Sequence, residues 1–303
     1  MNLAHSLRSI ARGVIRENEP LAPRSSIRLG GVADLWFEPA GLEDLVAGLR
    51  LFAEQNEQNV PVRVLGGGSN TLISDAGLRG AVIHLTPGFA AGATWIDDRE
   101  VELPAGLSGI KALQAARSRG LSGPEFLVGI PGTLGGQVAM NAGTPRGQMA
   151  DLLTGIQLAE PAGVRFVAAQ ELKLAYRHSE LPSGSVITRV RLRFREGDLA
   201  ANDAQIREDM AYRRRTQPWE LPNLGSTFRN PAGDFAGRLL ELTGLKGARV
   251  GQVAFSTLHA NFLTNLGGGR AAEAHRLIES ARARVRAARG VDLSLEVALA
   301  GDF

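Results

Sequence analysis

The stretch Val62-Arg63-Val64-Leu65-Gly66-Gly67-Gly68-Ser69-Asn70 combines residue types that can receive a phosphate. A β-branched, apolar run stops at three glycines, which lack Cβ and can bring backbone N–H groups against a ligand. A nest of such amides suits phosphate oxygens, and Ser69 and Asn70 add side-chain donors where a pyrophosphate or ribityl chain could lie. A plain glycine-rich turn between two elements reads equally well from these residues alone. In Gly129-Ile130-Pro131-Gly132-Thr133-Leu134-Gly135-Gly136, glycine and proline are dense enough for backbone pressed against a flat ligand, or for a long surface loop. Arg177 carries a planar fork that matches a carboxylate, although a surface ion pair is the plainer reading. Ser226 offers a hydroxyl or simply a turn residue. Glu296 falls on the polar face of an alternating stretch, where a solvated carboxylate is the default.

Composition narrows the chemistry. The 303 residues are 44% hydrophobic and 21% charged, which fits a globular protein of roughly two domains at ~150 residues each. The net charge is only +3, and arginine far outnumbers lysine. No cysteine is present, so disulfides, thiolate metal sites and cysteine nucleophiles are excluded. No metal site is expected. The N-terminal stretch has arginines among its apolar residues and no signal-like core. No apolar run approaches the ~20 residues that span a bilayer. A cytoplasmic protein is expected, with no membrane association.

The elements that must position these residues follow from periodicity. Leu3, Leu7, Ile10 and Val14 recur at helical spacing. Residues 26–31 and 35–39 read as two strands around a glycine turn, and Leu45, Leu49 and Phe52 as a helix leading to the strand at Val62. Strands are expected at 81–85 and 100–103, then a helix bearing Ile110, Leu113 and Ala116 that Gly120 closes. Residues 156–160 and 164–167 form a hairpin around Pro161-Ala162-Gly163. The strand from Val186 to Phe194 turns Val190, Leu192 and Phe194 to one face and Arg189, Arg191, Arg193 and Arg195 to the other. Such a row reads as a solvated face rather than a nucleic-acid site, since no aromatics interleave it. Ile206 and Met210 suggest a helix running into Arg213, and residues 217–231 an irregular loop. Asp234 can cap a helix bearing Leu239 and Leu242. Strands at 250–256 and 260–265, a long helix closed by Gly290 and a final strand over 293–299 complete the chain.

Taken together and in order, Leu65-Gly66-Gly67-Gly68-Ser69-Asn70, Gly129 to Gly136, Tyr176-Arg177-His178-Ser179, Gly225-Ser226-Thr227-Phe228-Arg229-Asn230-Pro231, Leu245-Lys246-Gly247, His259-Ala260-Asn261-Phe262 and Glu296-Val297 resemble the UDP-N-acetylenolpyruvoylglucosamine reductases. The spacing is similar to the shorter type, which lacks a loop carrying a substrate-binding tyrosine. The resemblance covers nearly the whole chain. It implies an α+β protein: a two-lobed FAD-binding domain of the vanillyl-alcohol-oxidase/PCMH type, followed by a C-terminal α/β substrate-binding domain. The expected divisions are 1–57, 58–197 and 198–303, with the last strand returning toward the flavin. No Gly-x-Gly-x-x-Gly fingerprint opens a helix, in keeping with that different way of holding a dinucleotide.

The resemblance also implies roles. Bound FAD would be held by Arg28, Gly30, Leu65, Gly66, Gly67, Gly68, Ser69 and Asn70. Gly129, Ile130, Pro131, Gly132, Thr133, Gly135 and Gly136 would line the flavin. NADPH would be the co-substrate, and hydride would pass through the flavin to UDP-N-acetylglucosamine enolpyruvate, giving UDP-N-acetylmuramate for peptidoglycan. Arg177 would meet the charge that develops on the substrate carboxylate, Ser226 would donate the proton, and Glu296 would assist the intermediate. Arg213, Gln217 and Asn230 would contact the UDP moiety, and His259 would support structure. A monomer is expected. The competing readings are another flavin oxidase of the same superfamily and a catalytically silent flavin or UDP-sugar binder. Two departures from the family pattern stand out: Thr144-Pro145-Arg146 follows Asn141-Ala142-Gly143, and Ser294-Leu295 precedes Glu296.

Overall fold

The structure, a computed structural model, describes residues 3–54, 60–90 and 92–303. The expected division at 57/58 lies outside the described residues. In chain order the helices and strands are α1 (Leu3–Ile10), β1 (Val14–Pro20), β2 (Val32–Glu38), α2 (Leu42–Glu54), β3 (Val62–Val64), β4 (Thr71–Ile73), β5 (Leu78–Ile83), β6 (Thr94–Trp95) and β7 (Glu100–Pro104). There follow α3 (Gly109–Arg117), α4 (Leu134–Ala139), β8 (Gly143–Thr144), β9 (Gly147–Gln148), β10 (Leu153–Glu160), β11 (Gly163–Ala168), β12 (Val186–Arg193) and α5 (Leu199–Thr216). The last third holds β13 (Asn223–Ser226), α6 (Ala236–Leu242), β14 (Arg249–Val250), β15 (Val253–Phe255), β16 (Phe262–Asn265), α7 (Ala271–Arg289) and β17 (Ala298–Ala300). The chain divides into two compact units, one of residues 1–17, 35–67 and 80–210, the other of 18–34, 68–79 and 211–303.

The first unit is built around an antiparallel sheet ordered β11-β10-β12-β7-β6. β10 and β11 make the expected hairpin, with Glu160 opposite Gly163. β12 alternates as the sequence dictates: Val190 and Leu192 are buried with Phe194 in the core, while Arg189, Arg191 and Arg193 face out. The outward row is neutralised by β7 and the bend before it, because Arg189 lies 2.8 Å and Arg191 3.0 Å from Glu102 of β7, and Arg193 lies 2.9 Å from Asp97. In a separate sheet ordered β1-β2-β5-β3, β3 runs parallel to β5 with Val62 opposite Ala81. α2 forms where Leu45, Leu49 and Phe52 share a face, and all three are buried. Glu43 and Asp44 in its first turn complement the helix dipole.

The second unit has an antiparallel sheet ordered β13-β16-β15-β14 and a parallel pair in which Ala298 of β17 faces Thr71 of β4. Its core gathers Leu72, Phe228, Phe255, Leu263, Leu277, Ile278 and Val285. α7 presents Ala274, Leu277, Ile278, Ala281 and Val285 to that core and ends at Gly290 in the left-handed region, φ 68°. Asp75 starts it, accepting from the N–H groups of Ala271 at 2.9 Å and Ala272 at 3.0 Å. A carboxylate satisfying two first-turn amides should stabilise the helix. Asp75→Ala is therefore expected to lower unfolding stability by about 1–2 kcal/mol, read from the urea midpoint, whereas Asp98→Ala on the first unit should leave it within error.

Several expectations are corrected. Val14 starts a strand instead of ending the first helix, and residues 25–31 are irregular rather than a strand. Ile110 is 40% exposed because α3 buries Ala112, Leu113 and Ala116 instead. Ala288, which continues the apolar spacing of Ala274, Leu277, Ile278, Ala281 and Val285 in the sequence, is likewise exposed, past the last packed turn of α7. The final strand shrinks to Ala298–Ala300, since only those residues meet β4, and Glu296 lies in a bend. Ser226, expected in a loop, is the last residue of β13.

Candidate functional site

In the first unit the strand β3 delivers the chain to Leu65, whose N–H donates to Ile83 O at 2.9 Å and whose carbonyl lies 2.8 Å from His84 Nδ1. Gly66 and Gly67 then pass directly against the second glycine loop. A Cβ on Gly66 would lie 2.6 Å from Thr133 Oγ1, and one on Gly67 would lie 2.8 Å from Gly132 Cα. The two loops, remote in sequence, thus touch backbone to backbone. The second loop is not wholly irregular: its latter half is α4, capped by Thr133, whose Oγ1 accepts from Gly136 N at 3.3 Å. Leu134 N and Gly135 N donate to Leu107 O and Ala105 O at 2.7 and 2.9 Å, and buried Gln137 donates to Ile130 O at 3.3 Å. The loop is consequently held by its surroundings. The N–H groups of Gly66, Gly67 and Gly132 meet no acceptor among the described residues. Amides aimed away from the chain's own carbonyls fit a pyrophosphate or flavin edge.

Arg177 lies in the same unit, in a two-residue turn closed by reciprocal bonds between Ala175 and His178 of 2.9 and 3.1 Å. Its φ is +54°, in a region that non-glycine residues seldom occupy. Its guanidinium donates to Gly143 O at 2.6 Å and stands 5.1 Å from the Tyr176 ring.

In the second unit, Gly68 has φ +59° and packs so closely that a side chain would collide with the Arg24 carbonyl oxygen. Gly30 is packed against Ile73, where a Cβ would come within 2.9 Å. These two glycines are demanded by the chain itself. Arg28 is exposed at φ +58°. Asn70 donates through its side chain to Glu296 O at 2.9 Å, and Ala298 N returns a bond of 2.9 Å to Asn70 O. Glu296 N in turn donates to Thr227 O at 2.9 Å. Asn70, Ser226-Thr227 and Glu296 are thereby brought together from three parts of the sequence. Asn261, 3% exposed, fastens the backbone beyond Ser226: its Oδ1 accepts from Phe228 N at 3.0 Å, and its Nδ2 donates to Phe228 O at 2.8 Å. No local pattern assigns Asn261 a role; an amide between apolar Ala260 and Phe262 is the available signal in the sequence. Thr227 Oγ1 and Arg229 Nε, either side of Phe228, are buried without a hydrogen-bond partner among the described residues.

The remaining candidates are dispersed. Arg213 and Gln217 meet at the end of α5, where Gln217 N donates to Arg213 O at 2.8 Å. Asn230 Oδ1 accepts from Ala236 N at 3.0 Å, so Asn230 satisfies the first amide of α6, while Asp234 accepts from Phe235 N and from Arg238 Nη1. His259 Nδ1 accepts from Asn261 N at 3.2 Å and its ring lies 4.8 Å from Phe262. Burial, aided by Lys246, holds its pKa below the ordinary 6.5. The unfolded chain takes up that proton first, so His259 contributes stability fully above pH 6.5 and loses it as pH falls toward the lower folded value. His259→Gln should flatten the acid limb of a stability–pH profile; an unchanged limb would remove His259 as a cause. Among the described residues no group of three or more His, Cys, Asp or Glu is placed to hold a metal. No described helix is long and apolar enough to cross a membrane.

Comparison with known proteins places these features in a family. A model of the FAD binding domain matches residues 33–168, and a model of the UDP-N-acetylenolpyruvoylglucosamine reductase C-terminal domain matches 217–300. The chain is 48% identical over 292 residues to the UDP-N-acetylenolpyruvoylglucosamine reductase of Anaeromyxobacter sp. (strain Fw109-5), covering 96% of this chain and 90% of that relative. It is 43% identical to that of Myxococcus xanthus, with 99% and 97% covered. The crystal structure of the Thermus caldophilus reductase aligns at 34% identity and a TM-score of 0.78, covering 96% of this chain and all of that one. An FAD-binding domain of the PCMH type thus precedes a C-terminal reductase domain in a mixed α and β chain. The chain belongs to the UDP-N-acetylenolpyruvoylglucosamine reductase family.

Proposed function

We infer that this chain reduces UDP-N-acetylglucosamine enolpyruvate to UDP-N-acetylmuramate in peptidoglycan precursor synthesis, using FAD as cofactor and NADPH as co-substrate. The observation that carries the inference is the joining of Ser226-Thr227 to Glu296 by the bond from Glu296 N to Thr227 O, in a chain of this family. FAD, when bound, takes a hydride from NADPH and supplies it to the vinyl terminus of the substrate.

The chain's residues do the rest. As hydride arrives, negative charge gathers on the substrate carboxylate, and a permanently cationic planar fork is the fitting partner. Arg177 fills that role. Ser226 Oγ donates the proton that saturates the adjacent carbon, so hydride and proton together convert the double bond to a single one. Glu296 assists the intermediate through hydrogen bonding. Leu65, Gly66 and Gly67, with Gly129 to Gly136, bind FAD, the N–H groups of Gly66, Gly67 and Gly132 serving as donors, and Arg28, Gly30, Gly68, Ser69 and Asn70 serve the same cofactor. Arg213, Gln217 and the uncommitted amide nitrogen of Asn230 address the UDP group. Residues 1–57 and 58–197 make up the FAD-binding lobes and 198–303 the substrate domain. The enzyme works as a monomer in the cytoplasm.

Anaerobic mixing tests this reading in two steps. NADPH should bleach the flavin, and UDP-N-acetylglucosamine enolpyruvate should then restore its colour with one product formed per flavin. Reoxidation by oxygen alone, with no response to the enolpyruvyl substrate, would overturn it in favour of an oxidase.

A further inference from the structure

Asn141 is 1% exposed, has a left-handed backbone at φ +40°, and uses both donor hydrogens and the oxygen of its side chain. Its Oδ1 accepts from Ala150 N at 2.9 Å. One Nδ2 hydrogen goes to Gln148 Oε1 at 3.1 Å, the other to Ala175 O at 2.9 Å. These three bonds tie the end of α4 to the β8–β9 hairpin and to the turn that carries Arg177. Ala175 O is also the acceptor for His178 N, so Asn141 grips the very carbonyl that closes that turn.

A second contact leads to the same guanidinium. Gly143, two residues on, offers its carbonyl to Arg177 Nη2 at 2.6 Å. Its place is fixed, because a Cβ there would lie 2.6 Å from Gly147 O and 2.8 Å from Gln148 Cα. On the far side, Ser179 Oγ donates to Ala139 O at 2.8 Å. Residues 139–143 therefore hold the Arg177 turn at three points. Arg177 itself sits at φ +54°, a conformation that persists only when neighbours impose it.

We propose that Asn141 is a positioning residue for the reduction: it fixes the Tyr176-Arg177 turn so that the guanidinium is aimed at the substrate carboxylate. This rests on the reading of Arg177 given above. The buried amide makes no contact with substrate and acts through the turn alone. Its effect should then be confined to ligands bearing that carboxylate. Misplacement of a catalytic group by about 1 Å costs roughly a hundredfold, which sets the scale expected.

The test uses holoenzyme variants. Asn141→Asp keeps the acceptor for Ala150 N and tolerates the left-handed backbone, yet removes both donors. Asn141→Gly keeps the backbone and removes the side chain. Either variant should retain FAD and its reduction by NADPH while reoxidation by UDP-N-acetylglucosamine enolpyruvate slows by about 10- to 100-fold. Equilibrium binding of UDP-N-acetylmuramate, followed by flavin fluorescence, should weaken about tenfold or more, with UDP-N-acetylglucosamine, which lacks the carboxylate, unaffected. Asn141→Asp combined with Arg177→Ala should be no slower than Arg177→Ala alone, because the two act as a unit. Parental reoxidation in the Asn141 variants, additive losses in the double variant, or equal weakening of both nucleotides overturns the proposal while leaving the Arg177 reading intact. Loss of FAD from both variants also overturns it, in favour of a purely structural amide. A parental rate in Arg177→Ala overturns the Arg177 reading and this proposal together.

Discussion

Ser226→Ala should leave the flavin fully reducible by NADPH and cut its reoxidation by UDP-N-acetylglucosamine enolpyruvate by about 10²–10⁴-fold. That is the range for loss of a positioned proton donor. The selectivity is the point. Ser226 ends β13 opposite Phe262, and its neighbour Thr227 is bonded to Glu296 N at 2.9 Å and to Asn261 O at 2.7 Å. The backbone is thus held from two sides, and removing one oxygen from this residue should not move it. Gly225 before it, at φ +72°, would meet nothing within 4 Å with a Cβ added, so it serves only the break in register between Asn223 and Ser226. Stopped-flow traces at the flavin absorbance separate the half-reactions. Loss of both, or of neither, would remove Ser226 from the proton-donor role.

The second large effect should come from a single methyl group. Gly67→Ala places a Cβ 2.8 Å from Gly132 Cα, a backbone atom that cannot rotate away. The two glycine loops must part, and the amides of Gly66, Gly67 and Gly132 lose their common arrangement. FAD affinity should fall at least about tenfold, equivalent to about 1.4 kcal/mol, as measured by titrating apoprotein with FAD. Gly41→Ala is the control, because a Cβ there meets nothing within 4 Å. Equal affinities for the two variants would show that loop contact does not shape the cofactor site.

Much of this was legible in the sequence where one local rule decides the outcome. The alternation in β12, the hairpin between β10 and β11 and the packed face of α7 all follow from periodicity and turn chemistry, although Gly163, expected in the connection, opens β11. The glycine loops were found, but their reasons differ. Gly66 and Gly67 permit one loop to touch another, whereas Gly68 and Gly30 make room for Arg24 and Ile73. Composition cannot distinguish a glycine that admits a ligand from one that admits a neighbouring carbonyl. Asn141 and Asn261 escaped for a related reason. Their importance lies in bonds to residues more than thirty positions away, such as Ala175 and Phe228, which no local pattern encodes. Glu296 was expected on a strand because Leu293, Leu295, Val297 and Leu299 alternate. Pairing with β4 begins only at Ala298, so the carboxylate sits in a bend, bonded through its backbone to Asn70 and Thr227.

Everything chemical in this account presupposes a flavin. The most direct measurement is therefore the absorbance spectrum of the purified full-length protein, before and after incubation with excess FAD and removal of unbound cofactor. A yellow protein carrying one FAD per chain is expected, its bands bleached by NADPH and restored by UDP-N-acetylglucosamine enolpyruvate. A colourless protein that takes up no FAD on reconstitution would contradict it.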